Sequence, residues 1–194
     1  MKTITRTYAV LSVLLIAFAL PSNAQTRKRT TTKTTTTKTV TKTPGRVSSK
    51  KVVYKTPTKK VVSVRSVPNK TVVRHNGQSY YYSNNKYYTQ SRGRYIAIAP
   101  KIGFRINTLP PNSVRVRFNN HLYFNVGGTF YIESNSGYEV VEPEIGTVVY
   151  ELPDGYEKVT IDGFTYYEYA NILYEKIQID GSRAYEVVGI IDME

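Results

Sequence analysis

The sequence predicts an all-β fold, built from three tandem antiparallel β-meander repeats of about 43 residues that pack together behind a signal peptide and a disordered basic tail. Three observations predict it. Apolar and polar residues alternate with a period of two, as in Val114-Arg115-Val116-Arg117-Phe118, and no useful length shows the apolar spacing of an amphipathic helix. Dipeptides that accept a left-handed backbone, Asn76-Gly77 and Asp162-Gly163 foremost, break these runs into hairpins. The prolines of Val67-Pro68, Leu109-Pro110 and Leu152-Pro153 stand 42 and 43 residues apart, and each precedes the same order of apolar strand, turn and aromatic pair, which marks an internal repeat.

Taken in order, residues 1–24 carry a short basic start (Lys2, Arg6), an apolar run from Ala9 to Leu20 and the small-residue ending Pro21-Ser22-Asn23-Ala24. This is the pattern of a secretory signal peptide cleaved before Gln25. The apolar run is about a dozen residues where a bilayer span needs roughly 20, so no transmembrane span is expected in the mature chain. With no cysteine, neither a disulfide nor a lipidated thiol is available, and packing alone must stabilise the exported protein.

Residues 25–60 hold twelve Lys or Arg, no acid and a dense run of threonine. Such a composition buries too little apolar surface to offset ordering entropy, which predicts a disordered extended tail. Its clustered cations are either a solvated spacer or an electrostatic anchor, with Arg27, Lys28, Arg29, Lys33, Lys38, Lys42, Lys50, Lys51, Lys59 and Lys60 as the polyanion-binding candidates. Val52-Val53-Tyr54 and Val61-Val62-Ser63-Val64 are short β-prone islands, and the second is suited to an edge strand of the first repeat.

The repeats are expected at about 67–107, 108–150 and 151–194 within a domain spanning 61–194. A 43-residue unit alone has too small a core to hold itself folded, so the units must stack. In the first, strands are expected at 71–75, 78–82, 86–90 and 94–98, with turns at Asn76-Gly77, Asn84-Asn85 and Arg92-Gly93. Pro100-Lys101-Ile102-Gly103 and Pro143-Glu144-Ile145-Gly146 link one unit to the next; the third unit lacks this element.

Alternation puts Val159, Ile161, Phe164 and Tyr166 on one core-facing side of their hairpin, as it does Val116, Phe118, His121 and Tyr123. Tyr81, Phe124 and Tyr167 then face the other way, either under a neighbouring repeat or as an aromatic strip able to stack on sugars or bases.

All fourteen acids lie at or after Glu133, whereas residues 25–132 carry 22 bases and no acid. This asymmetry suits an anionic envelope component, whether lipid, glycan or nucleic acid, and equally head-to-tail self-association. Signals for chemistry are sparse. The chain has no thiol nucleophile, phosphate loop or metal-ligand spacing, and His75 and His121 both flank hairpin turns, so no catalytic residue, metal or cofactor is expected.

Leu152-Pro153-Asp154-Gly155-Tyr156, Val159-Thr160-Ile161-Asp162-Gly163, Tyr166-Tyr167 and Tyr174 together resemble a family of exported bacterial proteins of unknown function, as found in Bacteroidetes, with Tyr-rich hairpins. The resemblance covers roughly residues 67–194 and implies an envelope or secreted location without an assigned activity. The expected function is therefore an exported binding or structural β-repeat protein, not an enzyme, located in the periplasm, at the outer membrane or outside the cell. The alternative is a carboxylate-dependent hydrolase or carbohydrate-active enzyme using carboxylates in the third repeat; pairs such as Glu142 with Glu144 or Glu133 with Glu139 are the other candidates for acid-base work or cation binding.

Overall fold

A computed structural model describes residues 36–37, 45–56 and 61–193, all within the compact unit Thr34–Glu194. The expected signal peptide and eight of the ten tail cations lie outside the described residues. What is described is all-β and, with one exception, antiparallel. Its only helical element is a three-residue 3-10 turn at Ser49–Lys51, and no helix is long and apolar enough to cross a membrane.

The N-terminal segment contributes β1 (Thr36–Thr37), β2 (Arg46–Ser48) and β3 (Val53–Tyr54). The first sheet follows with β4 (Ser63–Val64), β5 (Thr71–His75), β6 (Gln78–Ser83), β7 (Lys86–Ser91) and β8 (Arg94–Ile98). The second comprises β9 (Arg105–Ile106), β10 (Val114–Phe118), β11 (His121–Val126), β12 (Thr129–Ser134) and β13 (Gly137–Val141). The third is built on β14 (Val148–Val149), β15 (Glu157–Ile161), β16 (Phe164–Tyr169), β17 (Ile172–Ile179) and β18 (Ser182–Asp192). In each, a short leader strand pairs with the last strand of the four-stranded meander that follows it, giving the shared orders β4-β8-β7-β6-β5, β9-β13-β12-β11-β10 and β14-β18-β17-β16-β15.

The local reasons are those of a meander. Asn76 and Gly77 have φ of +49° and +75°, and Asp162 and Gly163 have +49° and +83°, the two left-handed positions of a type I′ turn. Lys101 to Phe104 and Glu144 to Thr147 form β-turns closed by bonds of 3.1 Å, with glycine at the third position at φ +87° and +97°, the type II pattern. These turns do not close the unit before them. The Gly103 N–H donates to the Val140 carbonyl (2.9 Å) and the Gly146 N–H to that of Val187 (2.8 Å), both on the last strand of the following sheet. Sheet boundaries therefore fall ahead of β9 and β14, not at 107/108 and 150/151, because these two-residue leaders pair only with strands downstream.

Face-to-face packing supplies the core. Val73, Tyr80 and Tyr87 of the first sheet pack with Phe104, Phe124, Val126, Tyr131 and Val140. The opposite face of the second sheet, with Val116, Tyr123 and Phe130, packs on Val149, Tyr174 and Val187 of the third. The Tyr87 and Tyr131 hydroxyls meet at 2.6 Å across the first interface, and burial pushes both phenols well above the ordinary tyrosine range. Between β17 and β18 the register skips Val188, a bulge that sends Val187 to the second-sheet side and Val188 to the far side. Of the expected hairpin core, Val159, Ile161, Tyr166, Val116 and Tyr123 are buried and Phe118 is half-buried, whereas Phe164 and His121, each the first residue after its turn, are 45% exposed and open respectively.

Composition misplaces residues 45–56. They sit in the tail read as disordered, yet β2 runs parallel to the end of β18, β3 pairs with β15, and Val47 is buried with Val159, Leu173, Val188 and Ile191. Gly189 permits this docking, since a Cβ there would lie 2.7 Å from the Gly45 carbonyl oxygen. This strap covers the face of the third sheet that has no sheet after it.

Candidate functional site

With the third sheet capped, the face left without a partner among the described residues is the outer face of the first sheet. Positions equivalent by strand register show the difference. Phe124, Val126, Tyr131 and Val140 are at most 8% exposed under the first sheet, while their counterparts Tyr81, Ser83, Tyr88 and Ala97 have no sheet above them. Tyr81 and Tyr88 are directly opposed on β6 and β7 and half-buried, and Val72, opposite Tyr81, is 53% exposed.

The loop before β5 folds over one end of this face. Val67 is buried, and the Ser83 hydroxyl donates to the Pro68 carbonyl at 2.6 Å. That places the Lys70 ammonium 4.6 Å from the centre of the Tyr95 ring and 5.5 Å from that of Tyr81, and it donates to the Tyr95 hydroxyl at 2.6 Å. Tyr95 in turn meets Tyr81 edge to face, with centroids 5.0 Å apart, and the Tyr81 hydroxyl donates to the Gln90 side-chain oxygen at 3.1 Å. The aromatic rings are thus fixed in orientation. Register puts exposed Arg74 on the same face as Val72 and Tyr81, and exposed Lys86 beside Ser83.

Charge follows the sheets. Residues 61–98 carry six bases (Arg65, Lys70, Arg74, Lys86, Arg92, Arg94) and no acid, whereas residues 148–192 carry three bases and nine acids. The first sheet is therefore wholly cationic and the third acidic, the latter offset in part by Arg46, Lys50, Lys51 and Lys55 of the strap.

The expected aromatic strip does not form. Tyr81 is on the open face, but Phe124 is enclosed in the first interface, edge to face with Tyr138 at 5.3 Å. Tyr167 lies against the second interface between Tyr156 (5.5 Å) and Tyr185 (5.6 Å). Stacking covers two of the three equivalent positions. Lys50 and Lys51 are exposed in the 3-10 turn of the strap, at the acidic end of the stack and away from the open face. Lys70, Arg74, Tyr88 and Tyr95 are missed by sequence reasoning, although the absence of any acid before Glu133 marks their region.

Two other places could hold chemistry. Glu144 gathers the Asn119 amide at 2.8 Å, the His121 ring and, at 3.3 Å, the Tyr123 hydroxyl. The Asn119 amide and then His121 hold its carboxyl below the usual range. A cavity of about 490 Å³ opens where Ile98, Ile102, Thr129, Val141, Asn171 and Ile190 converge. Glu142 is its one lining carboxylate among the described residues, and Arg46 of the strap holds that group and Asp192 at 2.5 Å each. Glu139 is likewise paired, with Arg105 at 2.6 Å. Among the described residues no three His, Cys, Asp or Glu side chains converge on a metal-sized site.

Fold and surface together define a β-sheet stack with one capped end and one open, cationic, tyrosine-bearing end. The chain belongs to a family of unknown function, DUF6515, which matches residues 53–191. The matched region begins at β3, so it takes in the strap strand that pairs with β15. No curated protein and no solved structure matches the chain.

Proposed function

We propose that this is an exported protein of the bacterial cell envelope with a binding or structural role, in which the stacked sheets are the scaffold and the cationic side holds polyanions. The carrying observation is the segregation of charge, with twelve bases at 25–60 and six more in the first sheet before any acid occurs. The basic start, short apolar run and small residues before Gln25 support export, and the resemblance to exported Bacteroidetes proteins agrees with it. A hydrolase would need two carboxylates converging on substrate, whereas the cavity offers Glu142, already bound to Arg46.

The test is retention of the mature chain on immobilised heparin and on anionic vesicles as salt rises. Counterion release predicts steep loss of binding with salt, and replacing the six bases between Arg27 and Lys42 with glutamine should release the protein at lower salt. No retention at low salt, or retention indifferent to salt, refutes the reading. Mass spectrometry of the mature protein should find its first residue at Gln25; an intact Met1 refutes export by this route.

A further inference from the structure

We propose that the open face of the first sheet is a docking site for an acidic polysaccharide, with sugar rings stacking on Tyr81 and Tyr88 and the anionic groups meeting Lys70, Arg74 and Lys86. This rests on the polyanion-binding reading above and adds to it a site and an occupant.

Sheet two buries Phe124 and Tyr131 at the positions equivalent to Tyr81 and Tyr88, and sheet three buries Tyr174, with Tyr167 packed against the same interface. The first sheet keeps aromatic residues there, yet surrounds them with Ser79, Gln90 and Ala97 in place of a sheet. Tyr81 and Tyr88 sit opposite each other on adjacent strands, both half-buried, so two tyrosine side chains stand side by side on this face. Partly exposed tyrosine rings beside hydroxyl and amide side chains suit a sugar, which offers an apolar face of C–H groups and a polar edge. Successive nucleic-acid bases are better served by separate aromatic platforms along a groove.

Charge selects the acidic form of the ligand. Lys70 is held over Tyr95 and Tyr81, and Arg74 and Lys86 flank the tyrosines on the same face, with no carboxylate on the sheet to compete. A signal peptide would deliver this face to a compartment where glycans, not nucleic acids, are the abundant polymers.

The experiment uses the mature full-length chain and isothermal titration with a heparin-derived hexasaccharide, a neutral maltohexaose and an oligothymidylate of matched charge. Tyr81→Ala should weaken the heparin hexasaccharide about tenfold, as loss of one stacked ring does. Arg74→Gln, at an exposed site where folding is not at stake, should lower the slope of log affinity against log salt by roughly 1. Tyr88→Ala provides a second aromatic variant should Tyr81→Ala melt early. If the parent binds but only the glutamine tail variant loses affinity, the face is not the site, while polyanion binding stands. If the parent binds none of the anionic probes, both readings fall. If the face variants weaken the oligothymidylate alone, or maltohexaose binds as well as heparin, the assignment of an acidic polysaccharide is overturned.

Discussion

Removing the strap should uncap the third sheet, and the effect can be separated from loss of the basic tail. A chain beginning at Gly45 keeps β2 and β3, whereas one beginning at Val61 loses both. The minimum cost is set by Val47, which is 7% exposed and packs on Leu173, Val188 and Ile191. Val47→Ala removes two buried carbons, worth about 0.8 kcal/mol each, and adds a cavity term, for roughly 1.5–2.5 kcal/mol in all. In a domain of this size that lowers the melting temperature by roughly 3–10 °C. Truncation to Val61 should cost more, because it also exposes Val159 and Leu173, both 0% accessible, and frees the edge of β15. Circular dichroism melts of the mature chain, the two truncations and Val47→Ala would test this. The chain starting at Gly45, which gives up only the two-residue pairing of β1 with β17, should melt close to the mature protein, with a clear loss for Val61. If the Val61 chain melts like the mature protein, the strap does not cap the stack. The same logic makes truncation at Val61 a poor probe of polyanion binding, since it removes structure along with charge.

Three further expectations follow from buried contacts. Tyr87→Phe and Tyr131→Phe should each cost roughly 1–3 kcal/mol in urea melts because each strands a buried hydroxyl, while the double variant should cost less than the sum; strict additivity would mean the 2.6 Å contact is not an energetic coupling. Gly163→Val should cost roughly 1–3 kcal/mol from backbone strain at φ +83°, with open space around it, and Gly146→Val should cost more because a Cβ there would lie 2.6 Å from the Phe118 ring; equal melting temperatures would contradict the packing of that turn. Glu168 is buried with one oxygen accepting the Asn171 N–H at 2.8 Å, and burial, then the charge of Glu157 opposite it, raises its carboxyl above the usual range. A raised folded value means the ionised group lowers stability at neutral pH and the penalty fades as pH falls through that value. Glu168→Gln should therefore melt higher than wild type at pH 7, with the gap closing in acid; a gap that widens in acid would reverse the assignment.

Much of the meander was legible because its signals are local. Strands expected at 71–75 and 94–98 are observed there, and those expected at 78–82 and 86–90 each extend by one residue. The turn dipeptides fix register, and register fixes faces. Which face is covered is a long-range matter. Tyr81, Phe124 and Tyr167 are equivalent within their sheets but differ in what lies over them, and no period in the sequence reports that. The leaders β9 and β14 are two residues long, too short to show alternation. The β-prone island Val52-Val53-Tyr54 marks only part of the strap; Val47 stands alone among lysine, arginine, serine and threonine, and its partners lie more than a hundred residues away. Charge taken over residues 25–132 as one block does not single out the six bases of the first sheet.

The connection from the strap to the first sheet also acts as a ruler. From Tyr54 on β3 to Ser63 on β4 there are nine peptide steps, which reach about 30 Å when fully extended. Sheets packed face to face are about 10 Å apart, so returning from the third sheet to the first consumes about 20 Å before any lateral offset. A fourth unit would demand the whole extended length. Repeat arrays ordinarily lengthen by duplicating an internal unit, and the middle sheet here, buried on both faces, is the natural copy to insert. Such an insertion would pull the strap from β15 and β18 unless residues 55–62 grew with it, so the length of a short connecting segment sets how many sheets this chain can stack.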